Sequence, residues 1–194
     1  MTAHVTTIWL DERGNLESPS RHSYEIHYSL RVDFAVRKFR NWQELRDLRL
    51  RSLQDSPEWF AAKLEVERLK TPEEWKAELE TSHWRLILES NEAVGMMAVS
   101  PAELIRGADC WLFGCWIAPD YRGQGIMGLI IEELDQICRI QGWTKQGLGV
   151  WPNNERAIRA YKRYGFYEGG EPRPSRSRPE QLYLPMFRQL PKSE

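Results

Sequence analysis

Cysteine, histidine, net charge and long apolar runs are all scarce in this 194-residue chain. The three cysteines, Cys110, Cys115 and Cys138, form no C-x-x-C pair, and their odd number argues against a disulfide framework. The four histidines stand without metal-ligand spacing, so no metal is expected. No run approaches the ~20 apolar residues of a membrane-spanning helix. No basic segment leads into an apolar stretch at the N-terminus, as a secretory leader would require. A net charge of −1 with 28% charged residues gives no electrostatic ground for binding nucleic acid or an anionic membrane. The expectation is a soluble cytoplasmic protein: one domain with a buried core and a short appendage, no metal, and no nucleic-acid or membrane partner.

Strand and helix patterns alternate along the chain. Tyr24, Ile26, Tyr28, Leu30, Val32, Phe34 and Val36 follow the two-residue period of a strand, longer than the usual five or six residues. Asn41 with Glu44, Ser56-Pro57, and Thr71-Pro72-Glu73-Glu74 each read as a helix start. Strands are expected at 84–89 and 93–100 around Ser90-Asn91-Glu92, then at 110–117 with Gly114 marking a bulge or a ligand's approach. A helix through Ile126, Ile130, Leu134 and Ile137 follows, then a strand at 148–151, a helix at 155–164, and strands at 166–168 and 182–187. The Pro-, Ser- and Arg-rich stretch 171–180 reads as a loop. This order is α/β (α+β): one mixed sheet flanked by helices.

The stretch Cys115 to Gly128, C-W-I-A-P-D-Y-R-G-Q-G-I-M-G, organises the rest. Gly123, Gly125 and Gly128 let a ligand approach the backbone where an amphipathic helix begins, and the free N–H groups and dipole there favour phosphate. The same glycines would also serve a tight turn and nothing more. The literal G-x-G-x-x-G matches a dinucleotide fingerprint, but no carboxylate ends the next strand at Val150-Trp151-Pro152 to hold a ribose, so that assignment fails. A second motif, Asn154, Ala157, Tyr161, Gly165 and Phe166, puts an amide and a phenol two helical turns apart on one face. By itself it equally describes a capping asparagine and a packed tyrosine.

Together the two motifs resemble the GNAT superfamily of acyl-CoA-dependent N-acyltransferases. The likeness spans roughly residues 32–187 in element order and is specific between Trp116 and Phe166. It implies a GNAT-like domain over 32–194, with 1–31 an accessory segment suited to a homodimer contact. It implies a sheet splayed between two parallel strands, with acetyl-CoA as co-substrate in the opening. Trp116 and Ile117 would bond the pantetheine through their backbones. Arg122, Gly123, Gln124, Gly125, Ile126, Met127 and Gly128 would cradle the pyrophosphate, with the Met127 side chain free to point away. Asn154 would bond the pantetheine arm, and Tyr161 would protonate the departing thiolate. The chemistry agrees: a phenol of pKa about 10 can supply a proton to a thiolate whose acid has a pKa near 8.5. A strand N–H can bond the thioester oxygen as it gains charge. The implied activity is N-acetylation of a primary amine on an unidentified small molecule, peptide or protein.

Members often carry a glutamate base at positions that match Trp111 and Gly149 here, neither of which is a base. Glu89, Glu92 and Asp109 are acidic residues near strand ends, and no base is assigned. A non-catalytic acyl-CoA-binding module is therefore the alternative. Arg173, Arg176 and Arg178 in the 171–180 stretch are either a solvated linker or a set of cations over the acceptor.

Overall fold

The alternation that runs from Tyr24 to Val36 is divided between strands of two sheets. The structure, a computed structural model, describes residues 34–103 and 106–190, together with the backbone of 5–10, 16–17 and 24–29. Strands β1 (Val5–Leu10), β2 (Leu16–Glu17) and β3 (Tyr24–Ser29) form an antiparallel sheet in the order β2-β1-β3. β4 (Phe34–Lys38) belongs to the larger sheet instead, so the expected overlong strand is two short ones. The residues between them, 30–33, lie outside the described residues. The first compact unit ends at Phe34 and the second runs from Ala35 to Glu194.

In the second unit the helices begin where local chemistry dictates. The Asn41 side chain accepts the Glu44 N–H at 2.9 Å and starts α1 (Trp42–Asp55). Thr71 and Glu74 exchange bonds of 3.3 and 2.7 Å at the start of α3 (Pro72–Thr81), a reciprocal capping box. The expected helix at Pro57 is only a three-residue 3-10 turn, because the Ser56 hydroxyl donates to Asp55 rather than capping. The one-turn α2 (Leu64–Glu67) follows it. Strands β5 (His83–Glu89) and β6 (Glu92–Pro101) pair as a hairpin. Its two turn residues, Ser90 and Asn91, have φ of +47° and +74°, the left-handed pair that matches strand twist.

The remaining elements are β7 (Cys110–Ile117), α4 (Met127–Ile140), β8 (Lys145–Val150), α5 (Glu155–Arg163), β9 (Tyr167–Glu168), β10 (Arg173–Pro174) and β11 (Leu182–Gln189). The sheet runs β10-β11-β8-β7-β6-β5-β4, with β9 also on β11. β10 corrects the expected loop at 171–180: Arg173 and Pro174 find partners in Tyr183 and Leu182. Trp84 faces Arg49 of α1, whereas its neighbour Arg85 bonds Glu133 of α4 at 2.9 Å. Successive strand residues point to opposite faces, so α1 and α4 cover opposite faces of the sheet.

One parallel pairing decides where a ligand can enter. β7 and β8 pair through Cys110–Gln146, Trp111–Gly147 and Leu112–Leu148 and then part. β8 stays with β11 along its whole length, while β7 stays with β6. Between the pairs Ala98–Phe113 and Met96–Trp116, Met97 alone stands opposite Gly114 and Cys115, which makes a bulge that bends β7. Gly114 permits it: its φ is +67°, and a Cβ there would lie 2.5 Å from the Trp84 ring. No helix among the described residues is long and apolar enough to cross a membrane.

Candidate active site

Beyond Leu112 and Leu148 the diverging strands enclose a cleft of about 720 Å³. Asn154, Ala157 and Tyr161 all line it, as their helical spacing predicts. Asn154 both caps and faces the cleft: its Oδ1 accepts the Ala157 N–H at 3.0 Å, which leaves the amide N–H groups for a ligand. Tyr161 is buried, with its ring edge-on to Phe166 at 5.8 Å. Its hydroxyl faces the Cys115 thiol on the β7 wall. Burial foremost, and then Cys115, push the phenol well above its ordinary pKa, so it holds its proton at neutral pH. Burial pushes the Cys115 thiol up to about 11, against a lowering hydrogen bond from Tyr161. Met127 corrects an expectation: its sulfur lies 3.7 Å from Cys115 Sγ and its side chain lines the cleft rather than pointing away.

The glycine loop is shaped for an anion. Gly123 and Gly125 have φ of +83° and +80°, and a Cβ on Gly125 would meet nothing within 4 Å. None of the N–H groups from Gly123 to Met127 donates to a backbone carbonyl among the described residues, and no side chain caps α4. Such consecutive free N–H groups form a concavity at the positive end of a 14-residue helix. Gly128 has a different cause: Tyr164 packs where its Cβ would stand, at 3.2 Å, and Tyr164 also donates to the Gly125 carbonyl. Gln124 is exposed and donates to the Asp120 carbonyl at 2.7 Å, while Ile126 is buried beneath the loop.

Arg122 and Trp116 are placed differently from the expected ligand set. The Arg122 guanidinium is ion-paired with Asp55 at the end of α1 and donates to the Ile117 carbonyl at 2.8 Å. Asp55 also accepts the Trp116 indole N–H at 2.9 Å. Burial works to raise the Asp55 carboxyl, but hydrogen bonds from Ser56, Trp116 and Arg122 outweigh it and hold it below its ordinary value. Arg122 thus braces the loop, and Trp116 is turned to α1, away from the cleft. The Ala118 N–H donates to Val94 of β6 at 2.8 Å. The ladder's two-residue period then commits Trp116's backbone to β6 as well and turns the Ile117 N–H to the open edge.

Trp111, Gly149 and Tyr183 also line the cleft. A Cβ at Gly149 would lie 2.7 Å from the Tyr183 ring, which is why no acidic side chain stands there. Of the acidic candidates, Glu89 is bonded by Tyr121 and Glu92 pairs with Arg51. Asp109 accepts the Thr144 and Lys145 N–H groups, whose bonds hold its pKa down. Glu103 does line the cleft, but its bidentate pair with Arg176 lowers its pKa and makes it a poor base. The cations expected over the acceptor are engaged too: Arg176 with Glu103, and Arg178 with the carbonyls of Ala61 and Pro57.

Two arginines escaped the sequence reading. Arg49 lies on the buried stripe of α1 with Leu45, Leu48 and Ser52, and a charge on an apolar face was the available signal. Arg156 hangs beside the loop, its Nη2 4.0 Å from where a Gly123 Cβ would be. A cation in the first turn of α5 opposes the helix dipole, which marks it in sequence.

The profile of the Acetyltransferase (GNAT) family matches residues 42–166. An uncharacterized N-acetyltransferase from Bacillus subtilis, YycN, is 29% identical over 93 residues, 46% of this chain and 60% of that protein. Many solved structures share the fold, and three of them illustrate it. A GNAT-family acetyltransferase from Streptococcus pneumoniae superposes with a TM-score of 0.64 at 17% identity, over 82% of this chain and 100% of its own. PaiA N-acetyltransferase from Thermoplasma acidophilum, determined with coenzyme A, gives 0.63 at 15%, over 81% and 99%. Spermidine N-acetyltransferase from Vibrio cholerae, determined with CoA and spermine, gives 0.61 at 16%, over 81% and 95%.

Proposed function

Since this chain belongs to the GNAT family of acetyltransferases, we propose that it moves an acetyl group from acetyl-CoA directly to a primary amine. The carrying observation is the opening between β7 and β8, which Asn154 and Tyr161 line together with Met127, the residue at which the glycine loop passes into α4. Acetyl-CoA supplies the activated acyl group. The free N–H groups of residues 123–127 and the α4 N-terminus suit a diphosphate, and Arg156 adds a positive charge beside them. The Ile117 N–H and the Asn154 amide hold the pantetheine. Tyr161 gives its phenolic proton to the departing sulfur. In this proposal Arg122 supports the loop from below instead of touching phosphate, and Trp116 contributes through Asp55.

The acceptor amine has to arrive neutral, and no free carboxylate among the described residues lines the cleft to deprotonate it. Its charged lining consists of Arg49, Arg106, Arg173, Arg176 and Glu103, a net positive set in a chain of net charge −1. Like charge disfavours an ammonium, so the lining itself lowers the acceptor's pKa and water can take the proton. The missing base is also the one observation in favour of a non-catalytic acyl-CoA-binding module. Thiol release from acetyl-CoA over an amine panel decides between them: CoA binding with no amine acetylated would leave only the module. We further propose that residues 1–31 are an accessory element carrying a homodimer contact. We also propose that the protein works in the cytoplasm, where its three cysteines would stay as thiols.

A further inference from the structure

Arg49 presents the least satisfied charge in the described structure. The residue is only 7% exposed, yet its Nε and Nη1 have no hydrogen-bond partner. Its guanidinium lies over the Phe60 ring at 4.9 Å and near the Trp84 ring at 5.8 Å. Those rings engage the flat face of the cation and leave the in-plane N–H groups unused. The nearest source of compensation is elsewhere engaged: Lys70 holds Glu67 at 2.8 Å and Glu78 at 2.6 Å, so neither acid bonds Arg49. A buried guanidinium without an anion is costly, because its lost hydration is not replaced.

The orientation says what would replace it. Arg49 lines the cleft, and its Nη1 is 3.7 Å from where a Cβ of Gly114 would stand. Gly114 is the bulge residue beside Cys115, and both line the cleft with Tyr161. The unused donors therefore lie beside the bulge in the cleft wall, next to the residues to which the proposed function gives the transfer step. A planar fork of N–H groups matches a carboxylate in two-pronged geometry. The rest of the lining agrees, since its net positive charge repels a polyamine and attracts an acid.

We propose that the acceptor is an amine that also carries a carboxylate, and that Arg49 binds that carboxylate. The proposal rests on the acetyltransferase function proposed above and names its substrate class. The carboxylate could instead belong to the acyl donor, as in succinyl-CoA, and the test separates the two sources.

Thiol release from acetyl-CoA is measured with the common amino acids, each against its own amide, and with spermidine. Succinyl-CoA with the amides forms a second arm. Calorimetry with CoA runs alongside, so that failure to bind CoA sinks the acyl-CoA function itself, separately from Arg49. The expected result is an acid preferred over its amide by about 10- to 100-fold in kcat/KM, the worth of a charge-assisted bond. Arg49→Met, which keeps an unbranched apolar stem, should bring that ratio to within about threefold. The acid-to-amide comparison in the unaltered protein stands even if this variant fails to fold. Amides or spermidine used as well as the acids would overturn the proposal. So would a ratio unchanged in Arg49→Met, turnover of the amides only with succinyl-CoA, or CoA binding with no panel amine acetylated.

Discussion

Replacing Tyr161 with Phe removes one buried hydroxyl and keeps the ring against Phe166. The partner left behind is the Cys115 thiol, a weak donor, so stability should change by less than about 1 kcal/mol. Turnover should respond far more. Cys115 shows what this depth does to a thiol, since burial there pushes one from 9.0 to about 11. A thiolate released beside it is made more basic in the same direction, because the same walls desolvate its charge. Without the phenol that penalty falls on the transition state, and kcat should drop roughly 100-fold, within the usual range for a general acid. Steady-state thiol release with the true acceptor measures it, and calorimetry should find CoA affinity near that of the unaltered protein. An acetyl donor built on a more acidic thiol should recover much of the loss. Full turnover in Tyr161→Phe, or an equal deficit with both donors, would refute the assignment. Joint loss of CoA binding and turnover would make Tyr161 a binding residue.

Gly125→Val and Gly142→Val form a matched pair, because both glycines have positive φ and open space around the missing Cβ. Each should cost about 1–2 kcal/mol in backbone strain, but only Gly125→Val should weaken CoA binding in calorimetry, by tenfold or more; equal affinities would remove the phosphate from this loop. The Cys115 thiol, raised by burial to about 11, stays protonated in the folded state while the unfolded chain ionises. Stability should therefore be intact below pH 9 and fall by roughly 2–3 kcal/mol between pH 9 and 11. Urea unfolding should show a shallower fall in Cys115→Ala, and identical slopes would contradict the burial. A chain beginning at Val32 should keep CoA binding and sediment as a smaller assembly than the full chain; an unchanged oligomeric state would dismiss the homodimer contact.

Much of this protein is decided locally and could be read from the chain alone. Asn41, Thr71 with Glu74, and the Ser90-Asn91 turn act on neighbours three or fewer residues away, so their hydrogen bonds depend on little beyond their own segment. The glycine loop and the Asn154–Tyr161 face are likewise short-range patterns, and the cleft-lining positions of Asn154 and Tyr161 follow from helical period. What the sequence misplaced depends on partners far along the chain. Arg122 meets Asp55 across 67 positions, a pairing that no local pattern carries. Met127 faces inward because the β7 bulge brings Cys115 to it. β10 exists because β11 offers an edge, whatever the proline content of its segment. Gly149 is glycine because the Tyr183 ring occupies the space of a side chain, a constraint that no local pattern carries. Arg49 is the sharpest case: its place on an apolar helical stripe is visible in the sequence, but its lack of an anionic partner is a property of every element packed around it, and only the tertiary structure decides that.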